Sequence, residues 1–197
     1  DIHRATACTM FNCAPEDVTP EMRRRAKTVN FAVIYGMADY TLSRTLGISV
    51  NEAREYIDTY FAKFPGVRKY TDETIETARN LGYVQTLMGR RRYIPDINNS
   101  NRNVRLFAER AAVNMPIQGT AADIMKLAMI HVHQSLAADN LSSKMVLQVH
   151  DELLLEVVPD ELKQASDHVR RGMEHAYEMR VPLKVDVKVG KNWSEMT

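Results

Sequence analysis

Lys144-Met145-Val146-Leu147-Gln148-Val149-His150-Asp151-Glu152-Leu153-Leu154-Leu155-Glu156-Val157-Val158 is the stretch on which the fold class turns. Two β-rich runs, 144–149 and 153–158, are separated only by His150-Asp151-Glu152, the signature of a hairpin. Downstream, Val185-Asp186-Val187-Lys188-Val189 alternates strictly and predicts a third strand with one face buried. Upstream, the first eighty residues carry helical periodicity. Helices followed by a small antiparallel sheet packed on helices make an α+β chain. A three-stranded sheet is thin, and one that needs strands from elsewhere.

Moving outward, the helix signals are local and explicit. Thr19 caps a helix with Pro20 in its first turn, and the pattern runs to Gly36. A short helix at 39–46 stops at Gly47. Ser49 and Glu52 then form a capping box ahead of a helix with Ala53, Tyr56, Ile57, Tyr60 and Phe61 on one face. Phe64-Pro65 ends it, and a further helix over 66–81 stops at Gly82. Short strands are expected at 83–87 and 92–94 around Gly89, with a loop from Pro95 to Asn101. A helical stretch follows at 103–138, which Pro116 and Gly119 are expected to break or kink. Pro159 opens another helix to about residue 179.

The chain has 197 residues, 45% hydrophobic and 26% charged, the balance of a globular protein with an ample core. No apolar run approaches the roughly 18 residues that a membrane span needs. The opening Asp1-Ile2-His3-Arg4 has neither a signal peptide's apolar stretch nor an initiating Met, so a piece of a longer chain is expected. Cys8 and Cys13 are too few for a disulfide scaffold and point to a reducing compartment. A zinc site on His3, Cys8 and Cys13 lacks a fourth ligand at usual spacing. Net charge is only +1, but residues 20–110 carry 16 Lys and Arg against 10 Asp and Glu, while the remainder carries 10 against 15. Such a division suits phosphates at one place and cations at another.

In the helix at 20–36, Met22, Ala26, Val29 and Val33 share the packing face. Arg23, Lys27, Phe31 and Tyr35 follow at four-residue steps on roughly the opposite side. Two cations one turn apart can grip adjacent phosphates, and aromatics beyond them offer a flat surface to a sugar or base. From geometry alone a solvated or partner-facing basic helix fits as well. Arg23, Arg24, Arg25 and Lys27 also fit a generic polyanion patch or targeting signal, although neither needs aromatics in register.

At the hairpin tip, Asp151 and Glu152 set two carboxylates against apolar strands, and such groups repel unless a cation is near. Magnesium takes one or two protein carboxylates together with substrate phosphates. A polar turn with its carboxylates in water is the other reading of the same residues. His131 and His133 lie two apart on a helix, hence on different faces, and suit no shared metal. No G-x-S-x-G, Walker A or H-E-x-x-H pattern occurs.

Longer motifs narrow these alternatives. Arg23-Arg24-Arg25-Ala26-Lys27-Thr28-Val29-Asn30-Phe31-Ala32-Val33-Ile34-Tyr35-Gly36 resembles motif B of the family A DNA polymerases, the bacterial DNA polymerase I type. Val149-His150-Asp151-Glu152 resembles their motif C. Gly89-Arg90-Arg91-Arg92-Tyr93-Ile94-Pro95, Asn114-Met115-Pro116-Ile117-Gln118-Gly119-Thr120-Ala121-Ala122-Asp123 and Gly190-Lys191-Asn192-Trp193 are similar in order and spacing. The resemblance covers essentially the whole chain.

It implies that residues 1–82 are most of the fingers and 83–197 the C-terminal part of the palm, with a metal-binding hairpin at 144–158. Arg23 and Lys27, assisted by His3, would hold the triphosphate of an incoming dNTP. Phe31 would pack by the sugar and Tyr35 at the templating position, while Lys27 would also protonate departing pyrophosphate. Arg110, Asn114, Gln118 and His150 would face primer-template DNA. Asp151 would bind Mg²⁺, with Glu152 in a lesser role. The implied reaction is two-metal, template-directed DNA synthesis. The implied parent is a monomeric polymerase of the bacterial cytoplasm, beside the nucleoid, or of a phage or organelle.

Two residues depart from the commonest pattern. Ala32 replaces a usual Gly, a small packing change. Phe31 stands where some members have Tyr, which implies discrimination against dideoxynucleotides. The second metal-binding Asp belongs to motif A, upstream of residue 1, so the chain is expected to be inactive alone. The alternative is a module that binds nucleotide or DNA without chemistry.

Overall fold

Caps and stop residues set most of the helix boundaries in the computed structural model, which describes residues 1–196. The chain begins with α1 (Ile2–Phe11), whose first turn is capped by the Asp1 carboxylate accepting from the His3 and Arg4 amides. In α2 (Pro20–Ile34), Thr19 Oγ1 accepts from the Met22 amide at 3.2 Å. Helix α3 (Asp39–Leu46) stops at Gly47, whose φ of +66° favours glycine. The expected capping box opens α4 (Val50–Lys63), and α5 (Pro65–Leu81) ends at Gly82 with φ +74°. Strands β1 (Tyr83–Gln85) and β2 (Arg91–Tyr93) pair antiparallel. Then come α6 (Arg102–Ala138), the hairpin β3 (Lys144–Val149) and β4 (Glu152–Glu156), and α7 (Leu162–Glu174).

The chain divides into two compact units, Asp1–Ile117 and Gln118 onward. In the first, Val29, Ala32 and Val33 of α2 are buried with Leu42, Ala53 and Tyr60. Ala26 packs with Ala7 and Val18, so the packing face read from the sequence is the buried one. The Ala32 methyl lies wholly within this core, away from the charged row. A separate cluster joins Ala78, Val84, Ile94 and Ile97 to Ala108, Ala112 and Met115 at the start of α6. In the second unit, Val132, Leu136, Ala165 and Val169 form a core. Leu153, Leu155 and Val157 reach it at alternate positions, so the hairpin packs one face on helices.

Three expectations need correction, and the break or kink expected at Pro116 is narrowed, since no break occurs. Residues 185–189 form no strand: Val185 and Val187 are half-buried and Lys184, Asp186 and Lys188 exposed, but no neighbour pairs with them among the described residues. Alternation sets which face is buried, whereas a strand also needs a hydrogen-bonding partner. The segment is tied instead by the Val185 amide donating to Glu174 Oε1 at 3.0 Å. The sheet content is therefore two separate two-stranded hairpins rather than one three-stranded sheet.

Helix α6 runs unbroken through Pro116. Losing one backbone donor costs about 3 kcal/mol, and packing on both sides offsets it: Ala112, Val113 and Met115 before the proline and Thr120, Asp123 and Met125 after it are buried. The last helix is shorter than expected. Pro159–Glu161 forms a 3₁₀ turn, and α7 ends at Glu174, where the Ala176 amide turns back to the Met173 carbonyl. Finally, Glu152 pairs with Val149 inside β4, which leaves only His150-Asp151 as the turn.

Candidate nucleotide-binding helix and carboxylate hairpin

Arg23, Lys27, Phe31 and Tyr35 are all exposed along α2, on the side away from its buried residues. Tyr35 is no longer helical; it caps α2, and Gly36 follows at φ +61°. Its ring nevertheless keeps the row, stacking on Phe31 at 6.0 Å between centroids and 11° between planes. Lys27 Nζ stands 5.8 Å from the Phe31 ring centre, within reach of a cation–π attraction.

The neighbouring α1 brings His3 to the same surface, its ring 5.9 Å from Phe31. Partial burial first, then the charges of Arg23 and Lys27, hold the His3 pKa below the ordinary histidine value. The imidazole is therefore neutral near pH 7. Arg23 Nε donates to Asp1 Oδ2 at 2.7 Å, so the residue that caps α1 also orients the first cation of the row.

Arg24 and Arg25 lie outside this arrangement. Glu21 accepts from Arg24 Nε and Nη2, both at 2.8 Å, and from Arg25 Nε at 3.0 Å. These two guanidiniums pull the Glu21 carboxyl down to about 2. Of four clustered cations, then, two neutralise one carboxylate beside the row.

Arg110 and Asn114 belong to the first unit and Gln118 opens the second, at four-residue steps in α6. The Arg110 side chain lies against Gly36, where an added Cβ would stand 2.9 Å from Arg110 Cγ. The Asn114 Oδ1 atom is buried without a hydrogen-bond partner. A buried acceptor left unpaired is costly.

In the second unit, His150 adopts φ +54°, a region uncommon for residues other than glycine. Gln148 Nε2 closes the turn by donating to the His150 carbonyl at 2.7 Å. A bulge at Val146 shifts the register between Met145 and Leu147. Asp151 and Glu152 are exposed and adjacent, Asp151 in the turn and Glu152 on β4. Among the described residues no three His, Cys, Asp or Glu side chains gather as a metal site. A cavity of about 360 Å³ in this unit is lined by His131, Ser135, His168, Arg171 and Gly172, and neither Asp151 nor Glu152 lines it. No helix of the described residues is long and apolar enough to cross a membrane.

Sequence reasoning passed over Asn30, Thr6 and Asp1. Asn30 and Thr6 are only 2% and 1% exposed, and Thr6 Oγ1 lies 2.9 Å from Asn30 Oδ1. The available signal was an Asn beside Val29 and one helical turn from Ala26 and Val33, all positions that pack.

Comparison with known proteins places these features in context. The model of the family described as DNA polymerase family A matches residues 1–195. DNA polymerase I of Caldicellulosiruptor bescii is 53% identical over 195 residues, covering 99% of this chain and 23% of that protein. The Streptococcus pneumoniae DNA polymerase I is 52% identical over 196 residues, 99% of this chain and 22% of its own length. A solved structure, the POL domain of Pol1 from M. smegmatis in complex with DNA primer-template and dNTP, superposes with a TM-score of 0.95. It is 45% identical and covers all of this chain and 35% of its own. The chain thus spans less than a quarter of the length of these curated relatives. With a family match running from residue 1 to residue 195, the chain belongs to DNA polymerase family A.

Proposed function

We propose that this chain supplies the nucleotide-gripping fingers and part of the palm of a template-directed DNA polymerase. The observation that carries it is the exposed row Arg23, Lys27, Phe31 and Tyr35 with His3 against it, in a chain of this family. Residues 1–82 correspond to the fingers and 83–197 to the palm. Arg23 and Lys27 bind the dNTP triphosphate as charge-assisted donors, and neutral His3 adds an uncharged donor beside them. The stacked Phe31 and Tyr35 rings seat the sugar and the base pair. Lys27 carries the proton that the departing pyrophosphate takes up. Arg110, Asn114, Gln118 and His150 contact primer-template DNA, chiefly its backbone.

The donor set at the hairpin suits magnesium in part. Asp151 and Glu152 offer hard carboxylate oxygens, and magnesium commonly takes one or two of these with substrate phosphates. Asp151 is the ligand, Glu152 its neighbour, and a further carboxylate from upstream of residue 1 completes the set. Magnesium held by these carboxylates would supply neutralisation of the charge that develops as the primer 3′-hydroxyl takes a nucleotide from dNTP. The partners are primer-template DNA, dNTPs and the upstream part of the same polymerase, in a monomer of the cytoplasm.

Primer extension by the complete protein with dNTPs and Mg²⁺ tests this. Asp151→Ala is expected to abolish extension while leaving DNA binding intact. Undiminished extension by that variant overturns the assignment. A complete wild-type protein that binds DNA and dNTP yet never extends primer is instead a binding module.

A further inference from the structure

A buried hydrogen-bonded chain links α1 and α2 behind the triphosphate face. Thr6 Oγ1 stands 2.9 Å from Asn30 Oδ1, and Asn30 Nδ2 stands 2.8 Å from His3 Nδ1. Thr6 and Asn30 are shut off from water, at 1% and 2% exposed, whereas His3 is only partly covered. A polar pair so buried must find its partners internally. With the amide oxygen facing Thr6, the hydroxyl is the donor of that pair, because an amide oxygen has no proton. That turns the amide nitrogen toward His3, where it donates to Nδ1. With Nδ1 occupied as an acceptor, the neutral ring carries its proton on Nε2.

We propose that Asn30 is a positioning residue for nucleotide binding. Set by Thr6, it locks His3 as the Nε2–H tautomer, with its ring held beside Phe31 and a single N–H donor offered to the triphosphate. This rests on the reading of the α2 row as the dNTP site. The lowered His3 pKa agrees with a neutral ring, since burial and the nearby Arg23 and Lys27 both disfavour a second proton.

The Thr6 hydroxyl also lies 2.9 Å from the Ile2 carbonyl, which defines the competing arrangement. If Thr6 donates there, a flipped Asn30 amide donates to Thr6 Oγ1 and accepts from His3 Nδ1–H. The outward Nε2 of a neutral ring is then a lone pair, which repels phosphate oxygen. Amide orientation is a matter of hydrogen-bond logic rather than of atom positions, so the tautomer is the decisive observable.

The experiment uses the complete polymerase labelled with ¹⁵N-histidine, its His3 signals assigned by their loss in His3→Gln. Wild type is expected to show a protonated Nε2 and an unprotonated Nδ1. Asn30→Asp, nearly isosteric, accepts from the ring and moves the proton to Nδ1. Thr6→Val, which keeps the shape and removes only the hydroxyl, is expected to give a mixture of tautomers. In primer extension, Thr6→Val raises KM for dNTP about three- to tenfold, the worth of one hydrogen bond, with kcat nearly unchanged. Thr6→Ser restores both readouts.

Protonated Nδ1 in wild type overturns the proposal, as does an unaltered tautomer in Asn30→Asp. The tautomer is read without nucleotide, so its failure is separable from that of the site itself. If the tautomers behave as expected but Lys27→Ala leaves KM for dNTP unchanged, the reading of the α2 row as the dNTP site is what falls.

Discussion

Lys27 and Arg24 are three residues apart on one helix and carry the same charge, yet their surroundings separate them. Arg24 already forms a forked pair with Glu21, so removing it frees a carboxylate that Arg25 still holds. Lys27 projects along the aromatic row, 5.8 Å from the Phe31 centre. Lys27→Ala is therefore expected to weaken dNTP binding at least tenfold in an equilibrium titration, about 1.4 kcal/mol or more. Arg24→Ala is expected to change it less than threefold. Equal effects would remove the grounds for assigning that face. Charge counting could not have told these residues apart, because a row at four-residue spacing is visible in sequence while its ion-pair partners are not. Asp1, Thr6 and Asn30 escaped notice for the same reason: their roles come from α1 lying on α2, a contact no local pattern encodes.

Among the elements, boundaries written by neighbouring residues were legible and those set by distant partners were not. Thr19, Gly47, Ser49 with Glu52, and Gly82 act within one turn of their own helix, and each sits where the sequence places it. The strand expected at 185–189 failed because a strand is completed by another strand. Of the break or kink expected at Pro116, the break does not occur, burial on both sides of it outweighing one lost hydrogen bond.

Two substitutions probe this level. Ser49→Ala removes the hydroxyl that accepts from the Glu52 amide and donates to its carboxylate at 2.7 Å. It is expected to cost about 1 kcal/mol in denaturant unfolding and to let the Glu52 carboxyl rise toward its usual range. An unchanged midpoint would mean that the cap contributes nothing. Gly172→Ala tests the approach of α7 to α6, where a Cβ would stand 2.8 Å from Val132 Cγ2 and 3.2 Å from the Val132 amide nitrogen. Overpacking of that kind costs about 1–3 kcal/mol. Val132→Ala in the same chain is expected to recover only part of it, since the backbone contact stays. Additive losses in the double-mutant cycle would show that the two residues do not meet.

Across the whole chain, charge is arranged so that carboxylates work in their ionised form. Glu21 is held down by Arg24 and Arg25, Asp39 by Arg54, and Glu52 by its Ser49 cap. Asp139 is held down by Gln164 and His168, and Glu161 by the amides and hydroxyl of Ser142 and Ser143. All five shifts have one sign: the folded protein binds these protons more weakly than the unfolded chain does. Their stabilisation is complete above the ordinary carboxylate range and fades as pH falls through the folded values, Glu21 persisting to about 2. Because these groups face solvent, salt should weaken the effect. The unfolding temperature is thus expected to be nearly flat from about pH 8 to 7, to dip slightly as the unfolded chain's His3 takes up its proton, and to fall steadily below about pH 5. In Glu21→Gln the lowest stretch of that fall should be shallower, because one titrating group is gone. A profile that stays level to about pH 2.5, or a variant that superposes on wild type throughout, would show that these pairs hold nothing together.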